Sequence, residues 1–299
     1  MSVVAEQRPA AGARASVLGG LATMTGAAAS NQVGAAVGAH AFPAIGPAGV
    51  VAVRQFVALA VLLPATRPDL RRFTWPQWWP VLLLGCSFAT MNLGIYTAVD
   101  RIGLGLAVTL EFLGPLAVAL AGSRTRLDLL CALGAAAGVY VLVLPDAASD
   151  WYGIGAGLVA AASWASYILL NRLVGARVPG LQGLAAATTV SALLYLPVLA
   201  VIVAQGRLTG TTLLYAAGAG LLSSVIPYAA DLIALRSVPP RFFGVVMSVH
   251  PVFAALAGLV LLGEVLRAHE WAGIAIVVAV NALAVVSAQR RQPASQTQS

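Results

Sequence analysis

Four ionisable side chains stand inside stretches that are otherwise apolar: Arg54, Glu111, Asp231 and His250. A charge near a bilayer centre costs roughly 2.5–3.5 kcal/mol on insertion scales, so a residue retained there normally faces a cavity or a partner. The chemistry open to this set is electrostatic and acid–base. Glu111 can meet a cationic group or take up a proton, His250 carries an imidazole, a group that ordinarily titrates near neutral pH and can relay one, and Arg54 and Asp231 complete a set suited to proton coupling or gating. Pro115 follows Glu111 by four residues, Pro251 follows His250 directly, and Pro227 precedes Asp231 by four. A proline removes a backbone donor, so kinks are expected at Pro115, Pro227 and Pro251, as in helices that wall a cavity.

Each group also has a plainer reading. Glu111 fits half of a buried ion pair with Arg54 that only fixes helix packing. His250 fits a hydrogen-bonded packing residue, and Asp231 lies near enough to the end of its span to snorkel. Asn31, Trp164 and Tyr167, with Ser30, Gln32 and Ser163 beside them, either line a substrate path or bond neighbouring helices. No P-loop, Ser-His-Asp grouping or HExxH spacing appears, and Cys86 and Cys131 lie alone in separate apolar runs. An enzyme, a metal site and a bound cofactor are therefore not expected.

The elements that must position these groups are membrane spans. The chain has 299 residues, 60% hydrophobic and 9% charged, too apolar for a water-soluble core in a polar shell. Its net charge of +7 comes entirely from arginines placed one to three at a time between apolar runs, which marks topology and argues against a nucleic-acid partner. Runs of about 20 apolar residues give ten spans, at 17 to 39, 45 to 64, 79 to 98, 104 to 122, 127 to 144, 153 to 171, 182 to 203, 213 to 235, 243 to 262 and 269 to 288. With the N-terminus cytoplasmic, thirteen arginines fall inside and three (Arg101, Arg207 and Arg267) outside, so both termini are expected in the cytoplasm. Trp75, Trp78, Trp79, Trp151, Tyr152 and Trp271 stand at span ends as interfacial anchors.

A shift of 139 residues places Asn92 on Asp231 and Glu111 on His250, and a shift of 133 places Ala27-Ala28-Ala29-Ser30 on Ala160-Ala161-Ala162-Ser163. Span one has some features of a signal peptide, but its part in the repeat argues that it is retained. The expected fold is an all-α polytopic membrane protein of ten helices in two five-helix repeats, 17–144 and 153–288, with cytoplasmic tails 1–16 and 289–299. Because five is odd, the second repeat enters the membrane inverted, the arrangement of many secondary transporters. The polar pairs Asn92 with Glu111 and Asp231 with His250 are then expected to flank the midplane.

Several motifs are more specific: Met91-Asn92, Leu110-Glu111-Phe112-Leu113-Gly114-Pro115, Ile226-Pro227-Tyr228, Leu262-Gly263-Glu264, Gly49-x-x-Ala52-x-Arg54 and Trp164-Ala165-x-Tyr167. Through them the chain resembles the EamA-type branch of the drug/metabolite transporter superfamily, and within it the bacterial threonine/homoserine exporters, from about Ser30 to Val286. That resemblance implies export of small amino acids or related metabolites across the inner membrane in exchange for protons. Asn31, Asn92, Glu111, Trp164, Tyr167 and Tyr228 would hold the substrate, with the Glu111 carboxylate on its ammonium group. A second reading keeps the fold and changes the cargo to an amphipathic drug, a purine or a sugar derivative, and a third is a non-transporting membrane protein. A homodimer is compatible with the resemblance. One position departs from the group's pattern, since an acid usually precedes the proline of span nine and this chain has His250.

Overall fold

The computed structural model describes residues 11–121, 126–144, 149–227, 230 and 247–290, and their regular structure is entirely helical. The helices are α1 (Ala11–Ala39), α2 (Phe42–Thr66), α3 (Trp75–Ile102), α4 (Leu104–Glu111), α5 (Leu113–Ala121), α6 (Arg126–Val143), α7 (Trp151–Gly175), α8 (Gln182–Leu194), α9 (Leu196–Ala204), α10 (Gly210–Gly220), α11 (His250–Ala257) and α12 (Ala268–Arg290). A π-helical turn, Leu221–Val225, continues α10, and a second, Gly258–Leu262, continues α11.

Six segments are long and apolar enough to cross a bilayer: Phe42–Thr66, Trp75–Ile102, Leu104–Ala121, Arg126–Val143, Trp151–Gly175 and Ala268–Ser287. The pair α8 and α9, bent by 43°, makes a seventh. The described helices thus supply six or seven of the ten expected spans by length and composition. The 29-residue α1 is not among them, because Gly, Ser, Thr, Asn and Gln dilute its apolar content. The stretches read as spans eight and nine run into 228–229 and 231–246, so Tyr228 and Asp231 lie outside the described residues.

The breaks follow from local sequence. Pro115 has no N–H to offer the Glu111 carbonyl four residues back, and the helix parts at Phe112 into α4 and α5. Pro197 does the same to Leu193, and α8 turns into α9 at Tyr195. Pro251 stands in the first turn of α11, where a missing donor is harmless, so it opens that helix. Within α2, Gly46 has φ +69°, a left-handed backbone that glycine adopts without a side-chain penalty.

The long α3 packs most extensively on α7 and also meets α8, α4 and α2, while α12 packs on α6. Close approach of α3 to α7 depends on Gly94, where a Cβ would lie 2.8 Å from the Ala156 carbonyl oxygen. Leu129, Leu130, Leu133 and Tyr140 of α6 and Leu193, Leu194, Val201 and Val203 around the α8–α9 bend face outward. Apolar surface of this extent needs lipid or protein cover. Trp75, Trp151 and Tyr152 are exposed at helix starts, as anchors should be. Trp78, Trp79 and Trp271 are half-buried instead: Trp78 packs on Phe73 at 5.6 Å, and Trp79 carries the Arg177 guanidinium over its ring at 4.9 Å.

Candidate functional site

A cavity of about 120 Å³ lies where α1, α2, α3, α4 and α7 converge. Its wall includes Asn31 and Gln32 from α1, Arg54 from α2, Asn92 and Tyr96 from α3, Glu111 from the end of α4 and Trp164 from α7. Five of the residues singled out in the sequence, Asn31, Arg54, Asn92, Glu111 and Trp164, therefore meet in one place. A smaller space of about 40 Å³ shares Arg54, Met91 and Asn92 and continues toward Gln55, Thr188 and Ser224.

Glu111 ends α4 at the proline-induced break, which points its side chain at the cavity from a helix terminus. Arg54 is the opposing charge that Glu111 feels. Even so, no ion pair within 4.0 Å joins them; among the described residues the ion pairs are Arg72 with Asp69 and Arg101 with Asp150. The guanidinium is instead held by neutral groups. Nε donates to Ser224 Oγ at 3.2 Å, Nη2 donates to the Ser223 carbonyl at 3.1 Å, and the plane lies over the Tyr96 ring at 5.4 Å. The packing-only ion pair is therefore not what the side chains make.

Asn92 is buried and donates from Nδ2 to the Phe88 carbonyl at 2.8 Å, which fixes its amide beside the cavity. Trp164 meets Phe112 edge-on at 4.7 Å, and Phe112 lies 5.5 Å from the His250 ring. His250 does not line the cavity itself. Gln32 Nε2 donates to its Nδ1 at 3.2 Å, linking the imidazole to the wall through one amide. On that assignment Nε2 carries the proton, and it is buried without a partner among the described residues. Tyr167 does not reach the cavity; it packs on Phe88 at 5.1 Å in a separate cluster with Val81 and Ala187.

Sequence reasoning missed Tyr96, which lines the cavity and supports Arg54, although its place one helical turn after Asn92 puts both on one face. It also gave Glu264 no role. Both Glu264 carboxylate oxygens accept the Leu104 N–H at 3.0 Å, capping α4 from the segment after α11, and Leu104 lines the cavity. Burial raises the Glu264 carboxyl above the usual range, opposed by the Leu104 and Gly105 N–H groups. Among the described residues no group of three or more His, Cys, Asp or Glu is placed to hold a metal ion.

A helical bundle with an apolar outer face and a small charged cavity at a helix break is the architecture of a membrane-embedded protein. Comparison with known proteins identifies the family. The EamA-like transporter family model matches residues 151–286. The threonine/homoserine exporter RhtA of Salmonella typhimurium (strain SL1344) is 33% identical over 270 residues, covering 89% of this chain and 91% of that protein. RhtA of Escherichia coli (strain K12) is 34% identical over 256 residues, 85% of this chain and 86% of the relative. The chain belongs to the EamA-like transporter family. One crystal structure at 20% identity superposes with a TM-score of 0.58 over 94% of this chain and 99% of its own, a likeness of fold.

Proposed function

We propose that this protein is a secondary-active exporter of small amino acids or related metabolites of the threonine/homoserine kind, driven by proton exchange. It works by alternating access between two inverted five-helix repeats of a ten-span chain, with both termini in the cytoplasm. The observation that carries this reading is Glu111, a carboxylate at a helix break on a cavity wall with no ion-pair partner among the described residues. An ammonium group of the substrate supplies the counter-charge, and a proton arriving at Glu111 weakens that contact and favours release. His250, joined to the wall through Gln32, is the second proton-handling group. Asp231 and Tyr228 complete the set as proposals from the sequence alone.

Cargo size supports the small-metabolite reading. A cavity of about 120 Å³ is well below the roughly 300–1,000 Å³ that drug-sized ligands occupy. The relatives that match along most of the chain carry threonine and homoserine in their names.

The test is efflux of labelled threonine and homoserine from proteoliposomes, with and without an imposed pH gradient. Saturable, gradient-stimulated flux is expected from the intact protein. Glu111→Gln should abolish that flux while leaving a folded, membrane-inserted protein. Undiminished coupled flux in the variant would refute the role given to Glu111.

A further inference from the structure

We propose that Arg54 reads the substrate's carboxylate, so that Arg54 and Glu111 together select zwitterionic α-amino acids. This inference rests on the amino-acid reading above and adds the half of the site that reading leaves open: what, besides the ammonium contact, recognises the cargo.

The first argument is charge. Arg54 stands well inside α2, where a guanidinium is disfavoured by the bilayer, yet its contacts are a hydroxyl, a carbonyl and an aromatic face. These contacts orient the cation, and among the described residues no carboxylate pairs with it within 4.0 Å. Glu111 lines the same cavity and does not pair with it within 4.0 Å. Two opposite charges held apart on one small wall are the complement of a molecule that carries both an ammonium and a carboxylate.

The second argument is geometry. A guanidinium has five N–H donors, and Arg54 uses one on Nε and one on Nη2. Among the described residues, both donors on Nη1 and the second on Nη2 remain, the edge that forms paired bonds to a carboxylate. The supports also explain why the fork is fixed. Pro227 lacks the N–H that the Ser223 carbonyl, four residues back, would accept in an α-helix, and Arg54 Nη2 takes that carbonyl instead. The Tyr96 ring underneath closes off the remaining face.

The third argument is volume. At about 120 Å³ the cavity is well below the roughly 300–1,000 Å³ of sites for drug-sized ligands, which suits a small cargo. In so small a cavity a ligand on Glu111 lies near Arg54 as well.

The experiment measures binding of labelled L-threonine to the purified full chain in detergent, competed by L-threonine, L-threonine amide, which lacks the carboxylate charge, and N-acetyl-L-threonine, which lacks the ammonium. The wild-type protein is expected to prefer threonine over both analogues. In Arg54→Gln, threonine affinity should fall by roughly 30-fold or more, because a charged partner is lost from a desolvated pair. Affinity for threonine amide should change little, so that the preference between the two disappears, while N-acetyl-threonine remains excluded. An unchanged preference for threonine over its amide in Arg54→Gln overturns the proposal and leaves the amino-acid reading intact. No threonine binding by the wild-type protein overturns both. Should Arg54→Gln fail to fold, phenylglyoxal labelling of the wild-type protein read by mass spectrometry decides the matter. Threonine should protect Arg54 and threonine amide should not; equal labelling with and without threonine overturns the proposal.

Discussion

Replacing Glu264 by alanine should loosen the bundle where α4 begins. Both carboxylate oxygens lie 3.0 Å from the Leu104 N–H, and Leu104 is fully buried. That N–H is in the first turn of α4 and has no carbonyl within the helix to bond, so the carboxylate caps it and sits at the positive end of the helix dipole. Removing it leaves a buried donor unsatisfied, a loss of about 1–3 kcal/mol. Desolvation offsets part of the bond's gain, as the raised carboxyl of Glu264 indicates, and the net expected loss is about 1–2 kcal/mol. At about 2–4 °C per kcal/mol for chains of 150–250 residues, thermal unfolding in detergent should fall by roughly 2–8 °C. Glu264→Gln keeps one acceptor and should lose less. The sign of the pH effect follows from the same burial. A folded-state value above the unfolded one means that the stability contributed by Glu264 is fullest below the ordinary carboxylate range and is lost as pH rises through the raised value. The gap between wild type and Glu264→Ala should therefore narrow as pH rises through that window. An alanine variant as stable as wild type at every pH would refute the capping argument, and a gap that widens with pH would show that the N–H bonds to the carboxylate outweigh its burial.

Two further substitutions probe the frame around the cavity. Tyr96→Phe removes a buried hydroxyl that has no partner among the described residues, so the variant's unfolding temperature should be unchanged or higher; a clear decrease would mean that the hydroxyl is bonded. Gly94→Val places a Cβ 2.8 Å from the Ala156 carbonyl and should part α3 from α7, with a loss of about 1–3 kcal/mol seen in thermal unfolding; unchanged stability would show that the helices are not in close contact there.

Much of the site was legible because lipid makes polar residues conspicuous. Arg54, Asn92 and Glu111 stood out against apolar neighbours, and the structure brings them to one cavity. Tyr96 was not legible in the same way, since an aromatic ring in a span reads as packing until the Arg54 guanidinium is seen over it. Tyr167 misled for the same reason in reverse, because its depth matched Trp164 while its helical angle turned it toward Phe88. The sequence indicated a kink near Pro115 but not that the break would fall at Glu111 and Phe112, which depends on which carbonyl the proline deprives. Glu264 carried a motif without a role, because the amide it caps lies 160 residues away in the chain.

The interruptions in the helices and the polar side chains around the cavity have a common cause. Irregular backbone at membrane depth is tolerated only where it is buried in protein or lines a cavity, since lipid offers nothing to satisfy it. Around this cavity, side chains from other helices meet the interrupted segments. Ser30 Oγ donates to the Leu222 carbonyl at 2.9 Å, Arg54 reaches the Ser223 carbonyl, Ser223 Oγ donates to the Asn31 carbonyl at 2.7 Å, and Glu264 accepts the Leu104 N–H. Three of these bonds tie α1 or α2 to the π-turn after α10, and the fourth ties the segment after α11 to α4. The contacts that satisfy the broken backbone are therefore also contacts between the two halves of the chain. They stand beside other polar bonds between the same halves, among them Gln32 to His250, Gln55 to Ser191 and Tyr195 to the Ala89 carbonyl. Arg54 belongs both to these contacts and to the cavity wall, with two donors on the π-turn and its side chain lining the space that Glu111 shares.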